Sequence, residues 1–139
     1  MKATDTQGPS RRTLVAGRIV TGLTVSLLLV DAFGKVATLA PVVEGTARLG
    51  YPPSSVLVLG LIELACTILY LIPGSSIFGA ILLTGYFGGA VASHIRIQDP
   101  LWTHVFSPIY MGALVWVGIA LRDSRLHSLI PWRSKPAAI

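Results

Sequence analysis

The sequence predicts an all-α transmembrane four-helix bundle, running up-down-up-down, with a short interfacial segment between helices 1 and 2. Hydrophobic residues make up 53% of the chain and charged residues only 12%, against roughly 25% charged in an ordinary soluble domain. Four apolar stretches are long enough, at about 1.5 Å per helical residue, to cross a hydrocarbon core of roughly 30 Å. Proline, glycine and serine punctuate the intervals between them. With 139 residues there is room for one domain. A soluble globular fold, a disordered chain and a nucleic-acid module all fit this composition poorly.

The first span is expected at about residues 14–34. Lys2, Arg11 and Arg12 precede it in the manner of a secretory signal, but the apolar run is too long and lacks a small-x-small cleavage site, so it reads as an uncleaved helix. Between Pro41 and Tyr51 the chain is too short and too polar to cross. It suits a short helix at the membrane interface, with Glu44 and Arg48 at i,i+4 on the wet face. Pro52-Pro53-Ser54 opens the second span, at about 54–72. Pro73-Gly74-Ser75-Ser76 then interrupts a charge-free interval from Leu64 to Ser93. Proline removes a backbone donor, glycine permits reversal and the serines offer an N-cap, so a tight turn leads into a third span at about 75–93. Asp99-Pro100 opens the fourth, at about 101–121, and Pro108 inside it should kink the helix and free the carbonyl of His104. Residues 1–12 and 126–139 are expected to be tails, the first disordered.

Eight of the eleven Lys and Arg residues lie on the two terminal segments or the adjoining helix end. An even number of spans puts both termini on one side, and the positive-inside rule makes that side the cytoplasm of a cell membrane. This placement accounts for the net charge of +5 without a nucleic-acid partner. One cysteine, Cys66, excludes an internal disulfide and thiol-relay chemistry.

The topology sends Asp31, Lys35, Glu63, His94, Arg96 and His104 to the outer half, while Arg18 snorkels at the inner surface. Glu63 is the deepest, nine residues or about 13.5 Å into the second span. A carboxylate at that depth should face the bundle interior, as a general acid or base or as polar glue between helices. Thr67 and Tyr70 extend its face inward, and His94, His104 or Arg96 are its expected partners. Asp31 either joins the same site or pairs at i,i+4 with Lys35. Tyr86 shares a helix face with His94, and Trp102 with Trp132 suits anchoring at the interface, Trp102 also being a candidate at the cavity mouth. His127 is assigned no role. Gly85-x-x-x-Gly89, extended by Gly88-x-x-x-Ala92, reads first as a site of close helix approach and second as substrate space. No metal-ligand spacing links the histidines and carboxylates, and no metal, haem or other cofactor is expected.

The runs VVEGTARLGYP, LGLIELACTILYLIP and GAILLTGYFGGAVASHIRIQDPLWTHVFSPIYMGALVW resemble the DoxX-like family of small bacterial four-helix membrane proteins, over roughly residues 14–125. The resemblance implies a compact bundle in a bacterial cytoplasmic membrane. Relatives in the wider group resemble subunits of quinone-linked oxidation or accessory proteins of redox enzymes. The motif positions are Glu63, Tyr86, His94, Asp99 and His104, to none of which the resemblance gives a chemical role.

Three functions follow. The first is a cofactor-independent enzyme acting on a lipophilic small molecule, by isomerisation or by hydration or opening of an epoxide-type group. Its catalytic residues would be Glu63, Asp31, His94 and His104, with Thr67, Tyr70, Tyr86 and Trp102 binding substrate. The second is a quinone-associated redox subunit. The third is a non-catalytic accessory or scaffold protein. The expected partners are the lipid bilayer, the lipophilic molecule, and either further copies of the chain or a membrane enzyme.

Overall fold

The computed structural model describes residues 10–126; most of the expected tails at 1–12 and 126–139, with His127 and Trp132, lies outside the described residues. Helix α1 spans Arg11–Val36, α2 Ala40–Arg48, α3 Ser54–Leu71 and α4 Ser76–Arg96. A π-helical turn, Leu101–Val105, leads directly into α5, Phe106–Arg122. There is no strand among the described residues. Four segments are long and apolar enough to cross a membrane: α1, α3, α4, and the π turn together with α5. The chain is a small multi-pass membrane protein.

The local chemistry explains the boundaries. Ser10 caps α1 by accepting from the Thr13 amide at 3.3 Å, so the helix begins before the apolar run does. Thr38 (φ 48°) turns the chain into α2, which carries Pro41 in its first turn. Gly50 (φ 83°) turns it out again, in a left-handed conformation that glycine adopts without steric cost. At the Pro73-Gly74 reversal, Ser75 occupies the cap position of α4 without capping it. Its hydroxyl donates back to the Leu69 carbonyl at 2.9 Å, closing the end of α3.

Pro108 does not sit in the middle of a regular helix. The preceding turn widens, and the Phe106 amide reaches the Leu101 carbonyl five residues back. That extra residue accommodates a ring that would otherwise press on the carbonyl four residues earlier.

The spanning helices form a closed ring in which α1 packs on α3 and α5, and α4 on α3 and α5. The ring is tight near the end that holds Arg11, the α3–α4 reversal and Arg122. A Cβ on Gly79 would lie 2.3 Å from the Tyr70 nitrogen, and one on Gly118 would lie 2.7 Å from both Thr21 Oγ1 and Tyr70 Oη. Gly17 meets Leu121 with equal intimacy. These are the close approaches that small residues permit between membrane helices. The glycines picked out by the sequence pattern behave differently. Nothing lies within 4 Å of a Cβ built on Gly85, Gly88 or Gly89, so that motif makes space instead of a helix contact.

Polar ties close the same tight end. Arg122 donates to the Tyr70 carbonyl at 2.9 Å and lies over the Tyr70 ring, 4.7 Å from its centroid. Arg125 donates to the Pro73 carbonyl and pairs with Asp123 at 2.7 Å. Leu126 is buried against the core.

Candidate functional site

At the opposite end, where α2 and the α4–α5 connection lie, the ring opens around a cavity of about 610 Å³. That is within the range of roughly 300–1,000 Å³ typical of small-molecule sites. Its polar walls come from two groups of side chains on different helices.

The first group is set by a close crossing of α1 and α3. A Cβ on Gly60 would stand 2.7 Å from Lys35 Cβ, and the absence of that methyl brings the Lys35 stem onto α3. The Lys35 ammonium donates to Glu63 Oε2 at 2.8 Å and also to Asp31 Oδ2. Tyr86 Oη, from α4, donates to the same Glu63 oxygen at 3.2 Å, and the ammonium lies 5.7 Å from the Tyr86 ring centroid. Glu63 is 0% exposed, and its other oxygen, Oε1, has no hydrogen-bond partner among the described residues. One cation thus holds two carboxylates, one fully buried and one half open to the cavity. Lys35, Asp31 and Tyr86 line the cavity, and Glu63 stands behind them.

The second group sits on the α4–α5 connection. His94 and Asp99 approach at 2.7 Å, Nδ1 to Oδ2. Arg48 of α2 adds an ion pair to Asp99 Oδ1 at 3.7 Å, so Arg48 turns to this carboxylate although Glu44 lies four residues away on its own helix. The His94 hydrogen bond, with further help from the charges of His104 and Arg48, holds the Asp99 carboxyl below the usual range. An ionised carboxylate only accepts, so Nδ1 of His94 carries the proton and Nε2 is the nitrogen left for a ligand. The His104 ring lies 5.7 Å from that of His94, centroid to centroid, with its Nδ1 2.7 Å from Thr103 Oγ1. Tyr51 and Ser93, joined through their hydroxyls at 2.8 Å, complete this wall.

A depressed carboxyl stabilises the fold above its ordinary pKa and loses that contribution as pH falls through the lower, folded value. The deficit of Asp99→Asn in detergent melting temperature should therefore shrink as pH falls below about 4, through the lower, folded value. A deficit that persists undiminished as the carboxyl is protonated at lower pH would contradict the His94–Asp99 pairing.

The cavity gathers four of the expected site residues, Asp31, Tyr86, His94 and His104. Other expected site residues lie elsewhere. Thr67 donates to the Glu63 carbonyl within its own helix, and Tyr70 is buried in the tight half, donating to the Val115 carbonyl at 3.0 Å. Both face the core, because the α3 stripe that begins at Glu63 turns into the packed half of the bundle. Trp102 is 75% exposed and meets the Phe106 ring edge to face, away from the cavity lining. Glu63 takes Lys35 and Tyr86 as partners in place of the imidazoles, and Arg96 donates to the Leu49 carbonyl.

Lys35 and Arg48 are the polar residues that pattern alone undervalued. The spacing of Asp31 and Lys35 was visible, but nothing in the sequence marks the α3 residue that shares the lysine. Among the described residues, no group of three or more histidine, cysteine, aspartate or glutamate side chains is placed to hold a metal ion.

Comparison with known proteins returns one family model, described as the DoxX-like family, matching residues 19–118. No curated protein and no solved structure matches.

Proposed function

This chain belongs to the DoxX-like family, and we propose that it is an integral membrane enzyme performing acid–base chemistry on a lipophilic small molecule. One observation carries this reading: a single cavity is walled by Asp31, Lys35 and Tyr86 on one side and by the His94–Asp99 pair and His104 on the other. Leu59, Phe87 and Met111 supply apolar lining between them. Such a chamber holds an apolar body while two unlike proton-handling groups reach its polar end.

In this reading His94 Nε2 is the general base, kept in the right tautomer by Asp99. The Lys35 ammonium, which gives two of its three protons to Glu63 and Asp31, offers the third to the oxygen on which negative charge develops, and Tyr86, donating to Glu63, helps to hold it there. Glu63 acts through these two as a positioning residue. Isomerisation by proton transfer, or opening of an epoxide-type ring, fits this set of groups. The basic terminal segments support a tight end in the cytoplasm and a cavity on the non-cytoplasmic side.

A non-catalytic accessory role is the second reading. It draws on the seclusion of Glu63 behind Lys35 and Tyr86. The open glycine wall separates the two. Gly85→Leu and Gly89→Leu add bulk where no atom lies within 4 Å of a Cβ, and a helix gains backbone stability when glycine is replaced. Both variants should keep the wild-type melting temperature and lose a lipophilic compound that mass spectrometry finds in organic extracts of the purified protein. Extracts holding nothing beyond bulk lipid, or the same compound in all three proteins, would favour the accessory reading.

A further inference from the structure

The tight end of the bundle carries a second recess, unrelated to the chemistry proposed above. It has a volume of about 330 Å³ and is lined by Leu14, Arg18, Pro73, Ser76, Arg122, Asp123 and Arg125. Three guanidinium groups and one carboxylate therefore share it. Asp123 is matched by Arg125, which binds it through Nε and Nη2 and holds its carboxyl below the usual range. Ser76 adds a weak hydroxyl contact to the same carboxylate at 3.4 Å.

The other two arginines have no carboxylate partner among the described residues. Arg122 is fixed, with one nitrogen on the neutral Tyr70 carbonyl and its plane over the Tyr70 ring. Neither contact neutralises its charge, but both hold the guanidinium in one orientation. Arg18 makes no ion pair among the described residues. The two are brought to one level by Gly17, whose missing Cβ lets α1 touch the backbone of Leu121 and Arg122. A recess with two guanidinium groups that no described carboxylate compensates, one of them already immobilised, presents paired donors of the kind that suit a tetrahedral oxyanion. Leu14 and Pro73 give it an apolar lip.

We propose that this recess binds a phosphate group, and that Arg18 and Arg122 are its ligands. An anionic phospholipid is one source of that group and free phosphate the other. The location at the end of four apolar helices puts the recess at headgroup depth, where basic pockets between helices take anionic lipids. The site needs no assumption about which leaflet it faces.

The test uses the full chain in detergent, with Arg18→Gln as the informative variant because it removes a charge that no described residue uses. Arg11→Gln, at the exposed start of α1 and outside the recess lining, controls for general surface charge. Native mass spectrometry would follow retention of phosphatidylglycerol, with phosphatidylcholine as the zwitterionic comparison. Thermal shift with inorganic phosphate would provide the second arm.

Arg18→Gln should weaken phosphatidylglycerol retention about fivefold, the effect of roughly one basic residue at a membrane surface. Arg11→Gln should leave it near wild type. Loss of lipid retention in Arg18→Gln alone identifies the lipid source, and loss of a phosphate-induced thermal shift identifies the soluble one. Equal loss in both variants, or no loss in either arm, would overturn the site. Its failure would leave the acid–base reading of the large cavity untouched, since the two share no lining residue.

Discussion

Lys35→Met should be the most destabilising single substitution at the polar cluster, lowering stability by about 3–5 kcal/mol. The size follows from what stays behind. Glu63 is fully buried, one of its oxygens is already without a partner among the described residues, and the other would keep only the Tyr86 hydroxyl. Asp31 would lose the same cation but is half exposed, so its share of the loss is small. Removing the other side of the bridge is milder. In Glu63→Gln the lysine retains Asp31, and a loss of about 1–3 kcal/mol is expected. The double variant Lys35→Met/Glu63→Gln should recover much of the loss of the lysine variant, because no uncompensated buried charge remains. Melting temperatures and detergent-soluble yields of the four proteins form a complete cycle. Additive losses, or a wild-type-like Lys35→Met, would mean that the bridge does not stabilise the fold.

The second large effect concerns turnover. If His94 is the general base, His94→Ala should lower kcat on the compound retained by the cavity by roughly 10²–10⁴-fold, the usual range for removing such a group. Retention of that compound should change little, because the apolar lining and the Lys35 wall remain. His104→Ala separates the two imidazoles. Its ring is close to that of His94, but it leans on the Thr103 hydroxyl and not on a carboxylate, so its loss should cost less turnover. Equal rates for His94→Ala and the wild-type protein would remove the base and with it the proposed reaction class.

Much of the fold was legible because apolar length and proline placement are local signals. The spans at α1, α3 and α4, and the short helix over Ala40–Arg48, fall where hydropathy and punctuation put them. The wide turn at Leu101–Val105 was not legible beyond the expectation of a disturbance at Pro108, since a helix can answer a proline by kinking or by taking in an extra residue. The site was half legible. Depth along each span predicted which polar residues gather at one end of the bundle. It did not predict who touches whom, because that depends on rotation and separation of helices. The partner of Glu63 is decided by Gly60, a residue of no chemical character, which lets Lys35 onto α3. Likewise the GxxxG pattern is identical whether a neighbour fills it or a cavity does, and here the cavity fills it.

The uneven distribution of close contacts has a mechanical consequence. Packed interfaces resist continuous deformation, and here glycine contacts and arginine ties rivet the four helices at one extremity, while the Lys35–Glu63 bridge pins the first pair of spans at the other. Helix α4 lines the chamber with Gly85 and Gly89, around which a Cβ would meet no atom within 4 Å, and is the more yielding prong, held there by side-chain hydrogen bonds such as Tyr86 to Glu63 and Ser93 to Tyr51 instead of by close backbone contact. A guest arriving from the membrane or from water would wedge that prong outward about a fixed pivot, as tongs open, without breaching the seal at the far end.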